Sequence, residues 1–161
     1  MIPEKKSKVE KLKEEYSKLQ KKYSLPNFED LDEEFEIKKI EADSFIIREI
    51  RRDMTFKLQA ISDLLEPILN PSARELHSFI ELKVFEKKEI EDTYNFYKKL
   101  WALIHKGIVA SLETEQKEVD FIKELWKAWP EIKKQAHKFA AKITEAWQQD
   151  ETETFVSKYV S

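Results

Sequence analysis

The chain contains no cysteine, so it can hold no disulfide, no thiolate metal site and no cysteine nucleophile. Glycine occurs once, which is too few for a phosphate-cradling loop, and there is no Walker-type lysine. With five prolines beside that one glycine, turn chemistry for sheets is scarce. No run alternates apolar and polar residues between turn signals. No stretch approaches the roughly 18 apolar residues that a membrane span needs. The amino terminus is charged where a secretion signal would be apolar. These absences point to an all-helical protein of the cytoplasm.

The chain has 161 residues, enough for one domain or for a compact domain with a long arm. Hydrophobic residues make up 41%, enough for a core and against wholesale disorder. Charged residues make up 38%, yet the net charge is only −3, which argues against a dedicated nucleic-acid binder without excluding a local patch. The Lys-, Glu- and Ile-rich composition would suit a thermophile.

The dominant element is residues 115–147. Val119, Ile122, Trp126, Trp129, Ala136, Ala140, Ile143 and Trp147 lie along one side of a helix, interrupted at Lys133. Phe121, Leu125, Ala128, Ile132 and Phe139 widen the stripe. A stripe this broad requires several helices around it. At 1.5 Å per residue the helix would be about 50 Å long. Pro130 lies within it, where proline costs about 3 kcal/mol and bends the axis. Thr114 is the expected cap.

Ahead of this spine, residues 3–23 form a first helix with 8 lysines and 4 glutamates counted from residue 1. Val9, Leu12, Tyr16 and Leu19 make a narrow coiled-coil-like seam, too short to stand alone. The seam must pack on the body of its own domain or on a second copy. Residues 24–43 carry 8 acids and 2 lysines and read as an acidic hinge with a short helix capped by Asn27. A third helix, capped by Asp43 or Ser44, runs to about residue 70 with Ile47, Ile50, Met54, Leu58, Ile61, Leu65 and Ile68 inward and Pro67 in its last turn. A fourth, short helix covers about 72–85. The fifth carries Ile90, Tyr94, Tyr97, Trp101, Ile104, Ile108 and Leu112, and continues through Gly107 to about Ser111. There Gly107 permits a neighbour's close approach.

The segment from Tyr23 through Pro26, Asn27, Phe28 and Leu31 to Ile37 has a specific look. So do Arg48-Glu49-Ile50-Arg51-Arg52 and Glu118-Val119-Asp120-Phe121-Ile122-Lys123. Together they resemble a family of uncharacterised helical proteins of archaea, over residues from the first helix to about Lys134. Residues 139–161 and the tryptophan pair have no place in that likeness. The resemblance implies an archaeal, cytoplasmic, all-helical protein and supplies neither activity nor site.

Catalytic patterns are missing. His77, His105 and His137 are far apart, with no H-E-x-x-H and no Glu-x-x-His, which a di-iron bundle needs twice. Asp30, Asp32, Glu33, Glu34 and Glu36 could attract a hard cation, but without loop spacing they read as a solvated helix start. No cofactor and no metal is therefore expected. Three of only four arginines, Arg48, Arg51 and Arg52, fall within five residues. They are either a fork-like clamp on an anionic partner or internal salt bridges to the acidic hinge, for instance to Asp32 or Glu36. Lys134, Lys138 and Lys142 share one helix face, flanked by Lys133 and His137. They form either an anion-binding strip or the wet side of the spine. Phe155, Val156, Tyr159 and Val160 form either a docking peptide or a frayed tail.

The expected architecture is an antiparallel bundle of five or six helices with a long central C-terminal helix. It forms a single domain over 1–149, with an arm (1–23), a hinge (24–43), a bundle (44–149) and a tail (150–161). The expected function is non-catalytic: a protein-binding or structural module that pairs with another protein or with itself through Val9, Leu12, Tyr16 and Leu19. The alternative is an RNA- or anion-binding accessory protein using Arg48, Arg51, Arg52, Lys134, Lys138 and Lys142. An enzyme with a carboxylate or metal site is the third class. No membrane partner is expected.

Overall fold

The computed structural model describes residues 5–72 and 76–149. It is an all-α helical bundle: α1 Lys8–Tyr23, α2 Phe28–Phe35, a 3-10 turn Ile37–Lys39, α3 Ile46–Leu69, α4 Leu76–Leu82, α5 Lys87–Ser111 and α6 Glu115–Gln148. Among the described residues there is no strand and no helix long and apolar enough to cross a membrane.

Helix boundaries follow local chemistry. The Ser7 hydroxyl accepts from the Glu10 amide while the Glu10 carboxylate accepts from the Ser7 amide, a capping box that starts α1. Asn27 Oδ1 accepts from the Glu29 amide at 2.9 Å and starts α2. Thr114 Oγ1 accepts from the Lys117 amide at 3.3 Å and starts α6. Helix α3 begins at Ile46, later than the cap expected at Asp43 or Ser44. The Ser44 hydroxyl instead donates to the Glu41 carbonyl at 2.6 Å, closing a turn before the helix. Both α1 and α2 end on a left-handed residue that is not glycine, Ser24 (φ 54°) and Glu36 (φ 56°). The lone glycine is needed elsewhere.

It is needed in the interior of α5, which runs unbroken to Ser111. A Cβ on Gly107 would stand 3.0 Å from Phe121 Cζ and 3.1 Å from Thr55 Oγ1, so α3 and α6 side chains press directly on its backbone. Pro130 lies inside α6 without ending it, as the continuing apolar pattern implies. Pro67 lies inside α3, three residues from the start of the loop.

Residue contacts cluster into two compact units. One comprises Met1–Ala60 with Lys99–Glu131, the other Ile61–Lys98 with Ile132–Ser161. Helices α3, α5 and α6 each contribute to both. The sequence suggests a single domain over 1–149, made of an arm, a hinge and a bundle.

In the first unit Leu12, Tyr16, Leu31, Ile37, Ile50, Met54, Leu58, Leu100, Ile122 and Leu125 are fully buried. Helix α1 packs on α2 and on the 3-10 turn. Tyr16 lies edge-on to Phe28 and donates its phenol to the Pro26 carbonyl at 2.6 Å. Lys13 pairs with Glu29, and Tyr23 donates to Glu115. In the second unit Phe139 stacks on Phe85 and Phe96. Trp147, expected on the buried stripe, is 42% exposed and donates Nε1 to Glu81, a buried carboxylate that apolar periodicity does not anticipate.

Helix α5 is rotated relative to expectation. Its buried residues are Thr93, Phe96, Leu100, Leu103, Ile104, Gly107 and Ala110; of the expected row Ile104 is buried and Ile90, Tyr97 and Trp101 are half-buried, whereas Tyr94, Ile108 and Leu112 are exposed. Two apolar rows lie one residue apart on this helix. The core takes the row that contains glycine and alanine, because small residues let helices approach.

Candidate functional site

The seam residues of α1 divide. Leu12 and Tyr16 are buried in their own chain, and Val9 and Leu19 are half-buried. In this arrangement the two central residues cannot also face a second copy.

The three arginines find protein carboxylates, but not those of the acidic hinge. Arg51 Nε donates to Glu118 at 2.9 Å, with both side chains largely shielded from water, and Arg48 lies 4.0 Å from the same carboxylate. Arg52 pairs with Glu49 one turn back on its own helix. Asp32 is taken by Lys38, whose ammonium and amide both reach it. Glu34 accepts from Trp129 Nε1 at 2.8 Å.

The lysine strip also divides. Lys142 pairs with Glu89 and lies over the Phe85 ring, and this lysine is the main reason the Glu89 carboxyl lies below the usual carboxylate range. Lys134 and Lys138 are exposed. His105 is exposed beside the Trp101 ring, and His137 is exposed on α6. The side chain of His77 and residues 155–160 lie outside the described residues. Among the described residues no three acidic or imidazole side chains converge as metal ligands do.

Two features of the first unit remain. One is the outward row of α5. Trp101, His105 and Ile108 follow one another at helical spacing, and Leu112 continues the row in the turn beyond. Ile108 is 45% exposed, the adjacent Val109 55% and Leu112 81%.

The other is a cavity of about 580 Å³ between the end of α2 and the middle of α3. Phe35, Glu36 and Lys39 line one wall; Arg52, Asp53, Phe56 and Lys57 line the other. Phe35 is backed by Trp129 and Trp126, with ring centroids 4.7 and 6.3 Å away, whereas Phe56 is 66% exposed. The Asp53 side chain is 12% exposed. Its Oδ1 lies 3.6 Å from Lys39 Nζ, and its Oδ2 is buried with no hydrogen-bond partner among the described residues. Burial pushes the Asp53 carboxyl up, against the opposing pull of Lys39 and Arg52. Lys57 sits one turn after Asp53 on the same face, a spacing at which the two would ordinarily pair. No such pair forms.

Sequence reasoning missed this cavity because it depends on where the 3-10 turn carries Lys39. The one available signal was Asp53, a carboxylate on the flank of an otherwise apolar stripe. Compared with family models, with curated proteins and with solved structures, the chain matches none.

Proposed function

We propose that this chain is a non-catalytic helical module that works by binding protein, and that the surface it uses is the outward row of α5. The observation that carries this reading is that α5 has two apolar rows, and its own core takes one of them together with Ile104 while the end of the other stays outside. Ile108, Val109 and Leu112 keep large apolar surface in water although Leu100, Leu103 and Ala110 already fill the interior. A contiguous exposed apolar patch marks an interaction site, and a helix face presents such a patch as anchors one turn apart.

The occupant is a second copy of the chain. In an antiparallel pair with its two-fold axis near Gly107, Trp101 of one copy meets Leu112 of the other, and His105 meets Ile108. The row thus complements itself, as an isologous interface requires. Self-association through Leu12 and Tyr16 gives way to this surface because those residues are buried at home. The resemblance to archaeal helical proteins supports a cytoplasmic setting.

Light scattering tests the proposal. The wild-type chain is expected at twice its 19.3 kDa mass, and a chain carrying Ile108→Lys with Leu112→Lys at the single mass. Both substitutions are at exposed positions, and an unchanged circular dichroism spectrum is the expected control. A wild-type monomer, or a double variant that still pairs, would overturn the assignment. The anion-binding alternative is weaker because Arg48, Arg51, Arg52 and Lys142 all face protein carboxylates.

A further inference from the structure

We infer that the cavity between α2 and α3 is a binding site for a small aromatic anion, a flat ring carrying a phosphate or carboxylate. Its volume of about 580 Å³ is that of a small-molecule site. Its walls supply both halves of such a ligand's chemistry. Phe56 presents an uncovered ring at the rim, and Phe35 closes the opposite side, held in place by two tryptophans. Aromatic faces of this kind hold a ring by stacking.

The charged half comes from Lys39, Arg52 and Lys57. Their charge is matched by Glu36, by Asp53 and by the Glu49 that pairs with Arg52, so the preference for an anion comes from a cation left without an ion pair and not from a net excess. Their availability differs. Arg52 shares its charge with Glu49, and Lys39 is tethered toward Asp53. Lys57 is exposed and has no ion-pair partner among the described residues, although Asp53 stands one turn away. It is therefore the cation that meets the ligand first. Asp53 is a positioning residue: it lies behind Lys39 and draws that ammonium to the cavity wall.

A short, partly open cleft of this size with cations and carboxylates mixed along its walls takes a small molecule. A long polyanion would need an open, continuous cationic track.

Phe35 provides the means of detection. A ligand pressed against it changes the surroundings of Trp126 and Trp129, so tryptophan fluorescence reports occupancy. The probe is phenyl phosphate, titrated beside inorganic phosphate and phenol. The expected result is a saturable fluorescence change with phenyl phosphate, and binding by either fragment weaker by about tenfold or more. Lys57→Gln and Phe56→Ser are at exposed positions, and each is expected to retain the helical circular dichroism spectrum. Each is expected to weaken phenyl phosphate by about tenfold. A non-saturable response, equal binding by inorganic phosphate, or unchanged binding in both variants would overturn the inference. Tighter binding of a single-stranded polynucleotide, lost in the same variants, would also overturn it, in favour of a track for a macromolecule.

Discussion

Replacing Gly107 by alanine tests the packing of the first unit at its tightest point. Inside a helix alanine is favoured over glycine by about 1 kcal/mol. Gly107 has ordinary helical backbone, so no conformational penalty offsets that gain. The added Cβ nevertheless stands 3.0 and 3.2 Å from two atoms of the Phe121 ring and 3.1 Å from Thr55 Oγ1. Neither neighbour gives way easily. Phe121 is 4% exposed, and the Thr55 hydroxyl is bonded to the Arg51 carbonyl at 2.8 Å. Overpacking of this kind costs about 1–3 kcal/mol. The net expectation is a chain about 1 kcal/mol less stable than wild type.

The sign should reverse when both neighbours are cut back. In a background carrying Phe121→Leu with Thr55→Ala the three closest atoms are gone, and Gly107→Ala should stabilise by about 1 kcal/mol. A double-mutant cycle read by denaturant unfolding would then give a coupling of about 2 kcal/mol. If Gly107→Ala stabilises equally in both backgrounds, the close approach of α5, α3 and α6 is refuted.

Three further predictions concern buried polar groups. Arg51→Ala leaves the Glu118 carboxylate buried without its nearest cation and should cost about 3 kcal/mol in the same unfolding assay, whereas Arg51→Met combined with Glu118→Leu should be nearly neutral. Tyr16→Phe should cost about 1 kcal/mol at neutral pH, since the Pro26 carbonyl loses its donor. Burial raises the Tyr16 phenol, so the stability it contributes is complete below about pH 10, where the unfolded phenol begins to ionise, and falls as pH rises beyond that. The phenylalanine variant should lack this alkaline component, and parallel pH–melting curves for the two proteins would contradict it. Asp53→Asn should raise the melting temperature at neutral pH. The carboxyl of Asp53 is raised mainly by burial, so its contribution is intact below about pH 4 and lost as pH rises through its folded value. The two melting curves should meet in acid and separate above it, and a lower melting temperature for the variant at neutral pH would show that its link to Lys39 dominates.

Much of this fold was legible because local signals agreed. The apolar series of α3 named Ile47, Ile50, Met54, Leu58, Ile61, Leu65 and Ile68; Ile61 is half-buried and the other six are buried. The spine was placed at 115–147 and spans Glu115–Gln148. The passage of α5 through Gly107 was read from the continuing pattern and the close approach from the residue itself. The rotation of α5 was not legible, since Tyr94, Trp101 and Ile108 make as good a stripe as Phe96, Leu103 and Ala110. Only the neighbouring helices decide between them. The partner of Arg51 lies 67 residues away, so a search confined to the nearby acidic hinge chose the wrong carboxylates. The Ser7–Glu10 capping box was a readable signal that went unused; it would have started α1 at Lys8 instead of at residue 3. The cavity depends on both the αL turn at Glu36 and the placement of Lys39, and neither leaves a mark in periodicity.

The interleaving of the two units bears on how the chain is made. Synthesis runs from one end, and the first unit needs Lys99–Glu131 before its core can close. By then Ile61–Lys98 has already emerged, and its counterpart from Ile132 onward has not. The nascent chain therefore carries an apolar stretch that must wait for its complement. Neither unit can be produced alone as one continuous piece, and one cut between residues 61 and 98 separates the two segments of the first unit and divides the second.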